Sequence, residues 1–317
     1  MHRDVGQASF AEALIQGGGN RRLERIDGLI DWGGLSGVLG DVYASATGRP
    51  SYPPLALLKV LLLQGWYGLS DPAMEEALGD RLSFRRFVGL GLEERVPDHS
   101  TISRFRSLLA ERGLAQLLFE QVAAQLDARG LVLKTGTLID ATVIEAAASE
   151  PLKQKGGGRS EADPDAAWIK HGPRARFGYK MHVAVDQGSG LIRRAIITPA
   201  NVQEVDHGHD LVIGDERTVY ADKGYVGPRL RTRLAALGIK DRVQHRRWKN
   251  QPPLTSRQTL RNILIGRIRG RVEGVFGALK RSYGLARMRF MGLVRNTAAT
   301  LLTLIAWNMA RAADRTA

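Results

Sequence analysis

The chain has 317 residues, enough for about two domains at ~150 residues each, and 44% hydrophobic residues exclude disorder as its main state. The absence of cysteine excludes disulfide frameworks, cysteine zinc sites and thiol nucleophiles. The net charge of +14 is uneven: residues 241–317 hold 16 basic and 3 acidic residues, the preceding 240 hold 30 and 29, and such a basic segment points to a polyanion partner, nucleic acid above all.

The opening residues, MHRDVGQASFAEAL, contain no apolar signal core. The longest charge-free stretch near the C-terminus, Asn296–Ala310, has 15 residues, too few and too polar to span a bilayer. The expectation is a cytoplasmic, nucleoid-associated protein with no membrane partner.

Residues 1–49 are irregular, with glycines at 17, 18 and 19. Pro53-Pro54 opens an apolar run, Leu55–Leu63, that reads as a buried helix with proline in its first turn. Asp71-Pro72 is the expected cap of a second helix over Met74–Leu78, and Leu82–Val88 continues the helical character. Asp98-His99-Ser100 precedes Thr101–Leu114, where Ile102, Phe105, Leu108 and Leu109 recur at helical spacing. Residues 50–128 are therefore an all-helical module, whose last helices suit a helix-turn-helix. The pattern changes at Gly130. Val132–Ala141 reads as a strand, and residues 151–176 as a long polar loop with glycines at 156–158. Phe177–Asp186 alternates like a half-buried strand, and Gly188–Gly190 turns into a further strand, Leu191–Thr198. A helix over Val202–Ile213, a short strand Thr218–Ala221, a helix Pro228–Leu237 and a strand Ile239–Gln244 follow. A basic loop over 245–258 leads to a helix over Ile263–Leu279. Three strands followed by helix–strand alternation predict an α+β or α/β mixed sheet covered by helices, over 129–317.

Three acidic residues stand out by placement. Asp140 falls at the end of the first strand, Asp222 at the end of the short strand Thr218–Ala221, and Glu273 in the middle of the last helix of that series. Strand ends at the mouth of an α/β sheet are where sites form. Carboxylates converging there repel one another unless cations lie between them, and hard oxygen donors suit Mg or Mn. Each residue also has a plainer reading: turn or helix cap for the aspartates, and a surface pair with Arg269 for Glu273. Arg269, Glu273 and Lys280 are spaced four and seven apart, hence on one helical stripe, with Gly277 leaving room beside it.

In combination these segments resemble the DDE transposases of bacterial insertion sequences, especially the insertion-sequence-five branch. The resemblance is carried by Leu138-Ile-Asp-Ala-Thr142, by Gly178-Tyr-Lys-Met-His-Val-Ala-Val-Asp186 with Thr198-Pro-Ala-Asn-Val202, and by Ala221-Asp-Lys-Gly-Tyr225. Further on come Arg269-x-x-x-Glu273-x-x-Phe276-x-x-x-Lys280-Arg281, Tyr283-Gly284-Leu285 and Met291-Gly292-Leu293. Residues 50–115, including Val96-Pro97-Asp98-His99-Ser100-Thr101, are similar to that family's N-terminal helical domain. The resemblance covers roughly 50–312, in order, and is specific only as a set.

The resemblance implies a ribonuclease-H-like core in which Asp140, Asp222 and Glu273 hold two divalent ions, Mg or Mn. It places Arg269 and Lys280 as DNA-contacting cations. This chain departs from the family signature where Gly266 replaces a tyrosine. The implied chemistry is in-line displacement at phosphodiesters, with ions ~3.5–4 Å apart. The site cleaves element ends, then uses the freed 3′-hydroxyl to attack target DNA, with no covalent protein intermediate. The implied partner is double-stranded DNA, element ends and target, bound by a homodimer in a synaptic complex. Competing readings are a metal-dependent nuclease on the same fold and a catalytically inactive, transposase-derived DNA-binding regulator.

Other residues are weighed separately. Arg104 and Arg106, in the helix opened by Asp98, are candidate base readers of the element ends. Arg246, Arg247, Lys249 and Arg281 are candidate phosphate contacts, and Trp248 among them is a candidate stacking residue. Neither glycine run has the spacing or the Lys-Ser/Thr of a phosphate loop. His207 and His209 are spaced for different sides of a helix and read as ordinary histidines rather than metal ligands. Trp307 reads as core, and Trp168 has no assignment.

Overall fold

The computed structural model describes residues 19–40, 42, 51–150, 160–171 and 174–316. The glycine run at 156–158, Gly17, Gly18 and most of the irregular N-terminal segment lie outside them. The chain divides into two compact units: one runs to Gln125 and includes Ala298 onward, and the other is Leu126–Thr297.

The first unit is helical. Two helices that the sequence reading left undefined precede the apolar run: α1 (Arg21–Leu29), capped by Asn20, and α2 (Trp32–Val38), capped by Asp31. Next come α3 (Pro54–Tyr67), α4 (Asp71–Asp80) and α5 (Leu82–Val88). Then α6 (His99–Glu111) and α7 (Leu114–Ala128) follow. Helix α3 is the centre of this unit. It buries Ala56–Leu58 and Val60–Gln64 and packs against α2, α4, α5 and α6, which is why its sequence is apolar on every side. Asp71 is not the cap of α4; Ser70 is, its hydroxyl accepting from the Ala73 amide at 3.3 Å. Asp71 instead receives the Arg106 guanidinium (Nη1 to Oδ2, 3.0 Å) and the Gln64 amide (2.7 Å), so one polar knot ties α3, α4 and α6. Helix α11 (Leu293–Arg315) begins in the second unit, but from Ala298 on it groups with the helices rather than with the sheet. The Trp66 indole donates to the Ala306 carbonyl at 2.8 Å. A Cβ at Gly65 would lie 3.1 Å from that of Ala306, so glycine there permits the close approach.

The second unit is a six-stranded mixed sheet with flanking helices. Its strands are β1 (Thr137–Glu145), β2 (Ala167–His171), β3 (Arg174–Asp186), β4 (Ile192–Pro199), β5 (Thr218–Ala221) and β6 (Lys240–Val243). The order is β2-β3-β1-β5-β6, with β2 and β4 following one another along the same edge of β3. β1 and β3 are antiparallel; β1, β5 and β6 are parallel. This is the ribonuclease-H-like mixed sheet. Helices α8 (Glu204–His207), α9 (Pro228–Ala236) and α10 (Ser256–Ser282) complete it. α10 packs against β1 and β5.

Several local readings are corrected. The helix expected over Val202–Ile213 is only α8, one turn long; Leu211 and Val212 beyond it are buried in the sheet's core without helical structure. The segment 151–176 is not all loop. Its described part holds the edge strand β2, whose Trp168 packs on Phe177 at 5.4 Å, and the wholly buried Asp163, which accepts from the Tyr179 hydroxyl at 2.6 Å. Four strands, not three, thus precede the first helix of this unit. β3 is buried on both faces, because Lys180, His182 and Asp186 find partners inside: the Val202 carbonyl, the Thr198 hydroxyl and loop amides. Alternation alone could not show that.

Arg106 carries the clearest stability expectation in the helical unit. Its ion pair with Asp71 is 14% and 24% exposed, and deleting one partner strands the other. Asp71→Ala is expected to cost about 1–3 kcal/mol, read as a lower urea midpoint with an unchanged slope. An unchanged midpoint would show the pair to be energetically idle.

Candidate active site

Register alone brings two of the three carboxylates together. Ile139 and Ala221 are partners in the parallel pairing of β1 with β5. Asp140 and Asp222 each follow that pair by one residue, so they lie at the same level; Asp222 leaves the end of β5, but Asp140 is inside β1, which begins later and runs further than the sequence reading placed it. Asp140 Oδ1 accepts from the Ala141 amide at 2.9 Å, and Asp222 Oδ1 from the Gly224 amide at 2.9 Å. Asp222 caps the short 3₁₀ turn Lys223–Tyr225, so its plainer reading as a cap holds alongside any other role.

Helix α10 contributes the counter-charge. Ile265, Val272 and Phe276 are buried, and Arg269 falls within that inward stripe, where its guanidinium meets Asp140 Oδ2 at 2.8 Å. Burial pushes the Asp140 carboxyl up to about 6; Arg269 opposes this, while Asp222 and Glu204 add to it. Crowded hard-oxygen donors with one carboxyl driven toward protonation are the chemistry a divalent cation relieves.

Glu273 is not brought into that contact. It lies one turn beyond Arg269 but about 40° further round at 3.6 residues per turn, and it is exposed. Among the described residues no three acidic or imidazole side chains converge closely enough to hold an ion. The shared stripe read from the sequence thus splits. Arg269 turns inward, Lys280 donates to the Val143 carbonyl of β1 at 2.9 Å, and Glu273 between them faces outward. Burial lowers the Lys280 ammonium below its ordinary value, assisted by Arg176. Lys280 is therefore tied to the sheet. Arg281 is exposed, its guanidinium 3.4 Å from where a Cβ of Gly277 would be, so the room beside that glycine is already used.

Sequence reasoning missed Glu204. It begins α8 and is 33% exposed, with Lys180 Nζ at 3.6 Å. The signal was present in Asn201-Val202-Gln203-Glu204, directly after the quoted Thr198–Val202 segment, but a long helix was expected there.

The remaining candidates separate by engagement. Arg104 is exposed on the second turn of α6, where it meets the Ser100 carbonyl at 3.2 Å, whereas Arg106 is held inside by Asp71. Arg246, Arg247, Trp248 and Lys249 are all exposed on the loop after β6, with the Arg246 guanidinium 4.2 Å from the Trp248 ring centroid. His207 and His209 both pair with Asp210 at 3.3 Å, as ordinary histidines do.

Residues 11–108 match the family described as Transposase domain (DUF772). A cryo-EM structure of a piggyBac transposase synaptic complex with hairpin DNA is similar at a TM-score of 0.46 and 9% identity, over 93% of this chain and 74% of that one. Residues 133–309, more than half of the chain and inclusive of Asp140, Asp222 and Glu273, match the Transposase DDE domain, and the chain belongs to that family of DDE transposases.

Proposed function

We propose that this transposase recognises the ends of its element through the helical unit, and cleaves and joins DNA strands at Asp140, Asp222 and Glu273. The observation that carries the reading is the level placement of Asp140 and Asp222 on β1 and β5. The two aspartates and Glu273 would hold Mg or Mn, which supplies a Lewis acid at the phosphodiester and lowers the pKa of bound water. Arg269 balances Asp140 when no other cation is near and offers its charge to a phosphate when one arrives. Glu273, one turn along α10, supplies the third carboxylate from the exposed side. Water attacks phosphorus and the 3′-oxygen departs as a hydroxyl; that 3′-hydroxyl then attacks a target phosphorus, a new P–O bond joins it to the target's 5′-phosphate, and the target's own 3′-oxygen leaves and takes up a proton.

The exposed cluster Arg246, Arg247 and Lys249 tracks the phosphate backbone, and Trp248 offers a stacking face. Arg104, exposed on α6 with only local partners on its own helix, reads the element ends; Arg106, engaged by Asp71, does not. Strand exchange between two ends calls for a homodimer in the synaptic complex.

Asp140→Asn, Asp222→Asn and Glu273→Gln are each expected to abolish Mn-dependent strand cleavage while leaving DNA affinity within a few-fold. A purified variant that still cleaves removes that residue from the triad. Wild-type protein that binds end DNA but never cuts it would identify a regulator instead.

A triple Arg246→Gln, Arg247→Gln, Lys249→Gln variant, titrated against end and random DNA across salt, is expected to weaken both alike. Its log–log salt slope should fall by ~0.9 per lost phosphate contact. An unchanged slope places the loop away from DNA. Arg104→Ala is expected to lose affinity for end DNA alone, by about 1–3 kcal/mol if it reads a base, and equal losses on both DNAs would make it a backbone contact.

A further inference from the structure

The turn that Asp222 caps carries a hydroxyl that the proposed chemistry does not use. Tyr225 closes the 3₁₀ turn that Asp222 caps. Its side chain is 0% exposed, and its hydroxyl has no hydrogen-bond partner among the described residues. Leaving a buried hydroxyl unpaired costs about 1–3 kcal/mol. Burial pushes the phenol well above its ordinary value; Glu204, Asp140 and Asp222 act in the same direction and Arg269 opposes them. The charged groups around this hydroxyl are therefore those of the candidate site, with Glu204 added.

Glu204 is held against the same turn. A Cβ at Gly224 would lie 2.1 Å from Glu204 Oε2, so only glycine admits the carboxylate at this distance. Lys180, 4% exposed and fixed to the Val202 carbonyl at 2.8 Å, stands 3.6 Å from Glu204 on its other side. Glu204 thus lies between a buried lysine and the turn that Asp222 caps, a place from which it can support that turn. Metal-binding carboxylates are themselves oriented by hydrogen bonds from a layer behind them.

We infer that Tyr225 and Glu204, with Lys180 as counter-ion, are positioning residues for Asp140 and Asp222: the Tyr225 hydroxyl donates to whichever carboxylate oxygen of this group an arriving divalent ion leaves uncoordinated, and Glu204 braces the Asp222 turn through Gly224. This rests on the reading of Asp140 and Asp222 as ion ligands.

The test uses the full chain without DNA and follows Mn²⁺ uptake by the loss of the free-ion electron paramagnetic resonance signal. Tyr225→Phe removes only the hydroxyl, and Glu204→Gln keeps the side chain's size. Both are expected to weaken Mn²⁺ binding about 10-fold. Tyr225→Phe should melt no lower than wild type, because it deletes an unpaired donor. Wild-type Mn²⁺ affinity in both variants overturns the inference while leaving the ligand reading intact. A wild-type protein that takes up no Mn²⁺ overturns the ligand reading and this inference with it. Weaker binding in Tyr225→Phe alone, accompanied by a lower melting temperature, reduces the tyrosine to a packing residue and also overturns it.

Discussion

The parallel pairing of β1 with β5 is the constraint on which the site depends. With Ile139 set against Ala221, the next residue on each strand is an aspartate at the same level, and neither can be moved without breaking the ladder. A slip of one residue would turn one carboxylate to the opposite face of the sheet. Long antiparallel β3 fixes β1 from its other side, with Asp140 opposite Val183 in the middle of a nine-residue register. The least regular strand, four-residue β5, is thus held between a rigid neighbour and β6. Arg269 completes the arrangement from a different element. Its ion pair with Asp140 is largely buried, and such a pair does little for net stability but penalises any state in which one charge loses the other. That property suits a site whose counter-charge must later yield to a phosphate or an ion.

The positive charge of the C-terminal quarter is not all of one kind. Lys280 and Arg261 donate to backbone carbonyls of β1 and β6, and Arg287 to those of Ala146 and Ala147. These cations close strand and helix ends that would otherwise leave acceptors unpaired. The loop after β6 differs: Arg246, Arg247, Trp248 and Lys249 are exposed, and the arginine–indole contact there presents a flat, cationic face. Engagement with backbone is what sorts the two groups.

Most of the element pattern was legible because it rests on local signals. Pro54 in a first turn, the apolar run behind it, the Asp98 cap and the end of β5 at Ala221 all read correctly from residue types. The end of β1 did not: the strand runs Thr137–Glu145, so Asp140 lies inside it and only Asp222 follows a strand end. What was not legible depended on tertiary partners. Arg106 looks like any exposed arginine until Asp71, 35 residues earlier, is placed beside it. The burial of Lys180 is invisible without Val202 and Glu204. Glu273 was read onto the face of Arg269 from spacing alone, yet a small angular difference decides which of two residues one turn apart reaches the sheet.

The site is also where the fold gives up stability. Asp140 has a carboxyl raised to about 6 chiefly by burial, above its value of ~3.9 in an unfolded chain. For a raised carboxyl, the folded state is favoured below the unfolded value, and that advantage disappears as pH rises through the folded value. At neutral pH the ionised Asp140 therefore weighs against folding, and the unpaired Tyr225 hydroxyl adds to the same side. A phenylalanine at 225 would relieve the second burden, whereas an asparagine at 140 would leave the largely buried Arg269 guanidinium without its carboxylate. On the function proposed above, a bound ligand repays both, and its chemistry is defined. It must be positive to suit Asp140 and Asp222, and it must leave a carboxylate oxygen or water for the Tyr225 hydroxyl to bond. A divalent cation with oxygen ligands meets both conditions, whereas a second arginine would meet only the first.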